Sequence, residues 1–152
     1  TIEPEGHPAV KLDPLLNLKD LEILSDEDMV AVQRQNLLNS KSPNPSVETF
    51  LHAFLPYKYV DHTHADAVMN VTNRPGGLNL SKKIFGKKAS IVPYVMPGFA
   101  LAKLAAEIAE QHQEAEGLLL LNHGHCIPIQ LSFTHFHDHD VHCLGFSLIM
   151  HA

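Results

Sequence analysis

Cysteine is scarce in this chain: two, Cys126 and Cys143, in 152 residues. Two thiols cannot make the framework of a small secreted scaffold, so a reducing, cytoplasmic setting is expected. No apolar run reaches the ~18 residues of a membrane-spanning helix. The opening Thr1-Ile2-Glu3-Pro4-Glu5 has neither a basic nor an apolar region, so it does not read as a signal peptide. With Thr1 where an initiator Met would stand, it reads as the inside of a longer parent. Positive charge is short as well, with 11 Lys and Arg against 17 Asp and Glu and a formal net charge of −6. A nucleic-acid surface needs a basic face to displace phosphate counterions, so that partner is not expected. There is no G-x-x-x-x-G-K-[ST] and no G-x-G-x-x-G, which leaves nucleotide binding without a motif.

The bulk composition, 45% apolar and 18% charged, suits one soluble globular domain. At this size folding buries roughly two thirds of the chain's surface, enough for a core without disulfides. Histidine is the exception, at 12 residues. It is the commonest metal ligand, so its placement matters most.

Pro4, Pro8 and Pro14 predict an extended, poorly packed stretch through residue 19. Ser25, with Asp28 three residues on, marks a helix start. The β-branched Val30 and Val32 leave its end open between helix and short strand. Residues 37–45 read as a loop. Ser46 then caps a helix over 46–55, with Val47, Phe50, Leu51 and Phe54 at i, i+3, i+4 and i+7. The remaining pattern predicts strands over 57–63, 89–94 and 118–121, and helices over 65–73, 78–86 and 99–114. Strands alternating with helices give an α/β layered domain. After residue 124 the pattern stops, and 125–152 read as a divergent His-rich tail.

Four places carry candidate chemistry. In Asp61-His62-Thr63-His64 the two histidines fall on one face of a strand, at a spacing that suits one tetrahedral ion. His123, in Asn122-His123-Gly124, follows the apolar strand, where α/β sheets place their sites, and Gly124 lets the backbone turn sharply after it. Glu48 lies in the first turn of a helix, either as a charge complementing the helix dipole or as an acid/base beside a metal. Taken alone, H-x-H also fits two ordinary strand histidines, one buried and one solvated. The tail set His135, His137, Asp138, His139, Asp140, His142 and Cys143 could chelate a metal adventitiously. Lys82, Lys83, Lys87 and Lys88 read as a solvated basic face, and Cys126 as inert.

Pro45-Ser46-Val47-Glu48 with Leu51-His52, then Asp61-His62-Thr63-His64, then Asn122-His123-Gly124, resemble the class II aldolase/adducin N-terminal family. The nearest branch is that of rhamnulose-1-phosphate aldolases fused to a short-chain dehydrogenase. The resemblance implies a three-layer αβα domain over residues 1–124. It implies a Zn2+ site of His62, His64 and His123, with Glu48 as the catalytic acid/base. It implies reversible cleavage of a ketose 1-phosphate to dihydroxyacetone phosphate and an aldehyde, in a homo-oligomer, commonly a tetramer. Glu48, where related epimerases carry Asp, favours the aldolase. The family's Gly-rich phosphate cradle would precede Thr1, and its closing strand and helix are not legible after Gly124, so an incomplete domain is expected, one that binds zinc more readily than it turns over substrate. The alternative is a non-catalytic metal-binding or adducin-like interaction module. Adducin-like scaffolds tend to lose the histidine ligands, and all three stand here.

Overall fold

The structure, a computed structural model, describes residues 7–128. The chain opens with α1 (Leu12–Leu16), α2 (Asp26–Gln35) and α3 (Thr49–Phe54). It continues through β1 (Val60–Thr63), α4 (Asp66–Thr72), α5 (Gly77–Phe85) and β2 (Ala89–Val92). It ends in α6 (Phe99–Gln111), β3 (Gly117–Leu120) and β4 (His125–Pro128). The strands form one mixed sheet in the order β1-β4-β3-β2. β2 and β3 are parallel, while β4 runs antiparallel to both neighbours. This is the mixed α/β fold that the alternating pattern implies.

The core gathers where α3 packs on α6. Phe50, Phe54 and Phe99 meet edge to face, with ring centroids 5.4, 5.6 and 5.7 Å apart. Such pairs add to the gain from burial. Phe50 is fully buried. Phe50→Ala is expected to cost about 3–5 kcal/mol, read as a lowered urea midpoint. An unchanged midpoint would place the core elsewhere.

The structure corrects several sequence expectations. The opening stretch is not wholly extended, because Leu12–Leu16 is helical and Leu15 is buried. Pro14 falls within the first turn, where its missing N–H has no intrahelical partner to lose. The open end of α2 resolves as helix: Ser25 Oγ accepts from the Asp28 N–H at 3.1 Å, and Val30 and Val32 stay helical. α3 starts later than Ser46. The Ser46 hydroxyl accepts from the Glu48 N–H at 3.2 Å, and its carbonyl accepts from Thr49 Oγ1 at 2.7 Å. That local turn leaves Glu48 as the N-cap.

The largest difference is β4. Residues 125–128 pair on one side with β1 and on the other with β3, so they belong with the sheet and not with the tail. Four residues are too few for alternation to show, and the strand is defined by partners distant in sequence. The histidines from 135 onward, Asp138, Asp140 and Cys143 lie outside the described residues.

Candidate metal centre

β1 carries His62, and His64 follows one residue past its end. As the H-x-H spacing predicts, their side chains meet: the two Nε2 atoms are 2.9 Å apart. The third histidine arrives on the turn from β3 to β4. Asn122 takes a left-handed conformation there, φ 57°, which Asn tolerates better than most residues. The His123 N–H bonds the Leu120 carbonyl at 3.1 Å, and the Leu120 N–H bonds the Gly124 carbonyl at 2.8 Å. The turn therefore owes its sharpness to Asn122.

Gly124 has another reason. A Cβ there would stand 2.5 Å from His64 Cδ2, 2.6 Å from the Thr63 carbonyl oxygen and 3.1 Å from His62 Cε1. The turn lies directly against the two-histidine segment, and a glycine makes that approach possible.

Glu48 completes the group from the α3 N-cap. Its Oε1 lies 2.7 Å from His123 Nε2 and 3.3 Å from His62 Nε2. One ligand atom from each of Glu48, His62, His64 and His123 lies within 4.8 Å of the other three. His62 and His123 are deep, with side chains 3% and 8% exposed. His64 is the exposed member, so the centre opens to solvent on its side.

Burial alone would raise the Glu48 carboxyl. Hydrogen bonds to His123 and His62, with their charges, outweigh it and hold the group well below the usual carboxylate range. Burial, then the charges of His62 and His123, lower His64. Burial pushes His52 down to about 4, helped by the charge of His62.

The donor set fits a divalent ion. Two ligands about 2.0–2.1 Å from a tetrahedral centre stand about 3.3–3.4 Å apart. The separations of 2.7, 2.9 and 3.3 Å here approach that value. Three imidazoles and a carboxylate suit zinc and neighbouring transition ions better than magnesium or calcium.

Sequence reasoning placed these four residues as candidates, and the structure brings all four together. Two further residues, His52 and Cys126, stand beside this group without having been assigned a role in it. The ring of His52, on α3, stands nearly perpendicular to that of His62, with centroids 6.4 Å apart. Cys126, expected to be inert, puts Sγ 3.3 Å from His62 Nδ1. Burial pushes its thiol far up, and Glu48 adds to this. The one usable signal for His52 was its place four residues after Glu48, one helical turn on. Cys126 had none, since it reaches His62 through strand pairing across 64 residues. The four lysines 82, 83, 87 and 88 are exposed, and Lys88 Nζ lies 3.9 Å from the Glu116 carboxylate.

Comparison with known proteins agrees with this geometry. The family described as "Class II Aldolase and Adducin N-terminal domain" matches residues 18–127. The Bacillus subtilis (strain 168) protein named "Uncharacterized oxidoreductase YuxG" is 40% identical over 124 residues, 82% of this chain and 18% of that protein. The solved N-terminal class II aldolase domain of a conserved protein from Thermoplasma acidophilum superposes with a TM-score of 0.74 at 38% identity. That match covers 84% of this chain and 58% of the other. The chain thus spans less than two thirds of either relative.

Proposed function

Since the chain belongs to the class II aldolase and adducin N-terminal domain family, we propose that it acts as a zinc-dependent aldolase domain. Its substrate in this reading is a ketose 1-phosphate of the rhamnulose-1-phosphate kind. The products are dihydroxyacetone phosphate and an aldehyde, formed by a cytoplasmic homo-oligomer. The observation that carries the reading is Glu48, with Oε1 2.7 Å from His123 Nε2 inside a cluster of three imidazoles.

His62, His64 and His123 would hold the ion. A bound zinc ion supplies a Lewis acid for the ketose oxygens. Cleavage breaks the bond between C3 and C4. The C4 hydroxyl gives up its proton as the aldehyde forms, and C3, left with the bonding electron pair, takes a proton. Glu48 is the group we assign to the C3 proton. A carboxylate held at the α3 N-cap beside the three imidazoles delivers and removes a proton along one direction, which is where general acid/base catalysis gains its rate. His62 and His123 form the closed inner wall, and substrate approaches from the exposed His64 side.

Exchange of the C3 protons of dihydroxyacetone phosphate with D2O tests this without knowledge of the aldehyde. The 152-residue chain is expected to bind about one zinc ion and to catalyse the exchange, followed by proton NMR. Chelator-stripped protein loses the exchange, and the His62→Ala/His64→Ala variant retains neither metal nor activity. Zinc held fully by that variant would move the metal to other histidines. Loaded protein without exchange would overturn the aldolase reading and favour a binding module.

A further inference from the structure

His62 is the most deeply set of the three imidazoles, and its ring nitrogens face opposite ways. Nε2 looks into the cluster, 2.9 Å from His64 Nε2 and 3.3 Å from Glu48 Oε1. Nδ1 looks out of it, 3.3 Å from Cys126 Sγ. A neutral imidazole can offer the Nε2 lone pair to an ion only when its proton sits on Nδ1. A buried N–H at Nδ1 then needs an acceptor, since leaving it unmade is costly. In metal centres that acceptor is usually a carboxylate, a carbonyl or water. Here the atom at hydrogen-bond distance is a thiol sulfur.

The backbone fixes the contact. His62 and Cys126 stand directly opposite in the antiparallel β1–β4 pair, so their side chains share a face as neighbours. On its other side Cys126 is opposite Leu118 of β3. The residue is 1% exposed, so water does not compete for Nδ1. A single strand, β4, therefore carries the sulfur and links β1 to the turn that delivers His123.

We propose that Cys126 is the positioning residue of His62. Its sulfur accepts the Nδ1–H, fixes the tautomer that frees Nε2, and so sets the affinity of the cluster for a divalent cation. This rests on the metal-site reading above.

The test is zinc affinity of the full chain, by competition with a chromophoric chelator, for wild type, Cys126→Ser and Cys126→Ala. Thermal unfolding is followed in parallel. Alanine removes the acceptor and is expected to weaken zinc binding by about 10–100-fold. Serine keeps an acceptor and is expected to stay within about threefold of wild type. In 15N spectra of the zinc-loaded protein, His62 is expected to carry its proton on Nδ1 with serine as with cysteine.

A role confined to packing would lower the unfolding temperature in alanine and leave affinity unmoved. That result overturns the proposal, as does a serine variant as weak as alanine. Wild-type protein that binds no zinc overturns the metal reading, and this proposal falls with it. Wild-type binding with an unaffected alanine variant overturns this proposal alone.

Discussion

Glu48→Gln is expected to slow proton exchange at C3 of dihydroxyacetone phosphate by about 10²–10⁴-fold, the range set by removing a positioned acid/base. Glutamine matches the carboxylate in shape and can take the same place beside His123 Nε2 and His62 Nε2, which lie 2.7 and 3.3 Å from Glu48 Oε1. It cannot carry the proton. Three imidazoles remain to hold zinc, so metal content should stay near one ion per chain while exchange is lost. Parallel assays of bound zinc and exchange rate separate the two roles. Exchange within about threefold of wild type would remove Glu48 from the chemistry. Loss of zinc would make the carboxylate a necessary ligand and shift the proton transfer to another group.

Gly124→Ala is the second substitution with a large expected effect, although it adds a single methyl group. The new Cβ would lie 2.5 Å from His64 Cδ2 and 2.6 Å from the Thr63 carbonyl oxygen. A ring can swing aside, but a backbone carbonyl within a paired strand cannot move alone. Overpacking of this kind costs about 1–3 kcal/mol. If β1 retreats, the strain relaxes and the ligands separate, so zinc binding weakens by up to about 10²-fold. If β1 holds, the strain stays and the unfolding temperature falls. Gly76→Ala is the control. Gly76 has φ 78°, and a methyl group added there would meet nothing within 4 Å. It should cost about 1–2 kcal/mol through backbone strain alone and leave zinc affinity unchanged. Gly124→Ala with native stability and native affinity would contradict the packing of the turn on β1.

The candidate site was legible because its residues sit at element edges that local pattern marks. His62 and His64 follow from the two-residue period of a strand. His123 follows from its place after the apolar run Leu118–Leu121, and Glu48 from its place at a helix start. What escaped depends on distant partners. β4 is four residues long and is held by β1 and β3. Cys126 meets His62 only through that pairing. α1 was obscured by Pro14, whose usual meaning as a helix breaker fails in a first turn. Val30 and Val32 left α2 undecided because propensity is a weak prior. The Ser25 cap, with buried Met29 and Gln33 on one face, outweighs two β-branched residues.

The strand order β1-β4-β3-β2 also sets a timetable for synthesis. Among the described residues β1 pairs only with β4, and His62 waits for Cys126, 64 positions later in the chain. At about 5–20 residues per second a ribosome needs about 3–13 s to cover that gap. Throughout it the segment bearing two of the three histidines has left the decoding centre without the neighbour it will pair with. The nascent chain therefore passes through a window in which a bare strand, and a half-assembled set of ligands, is open to chaperones and to other nascent chains alike.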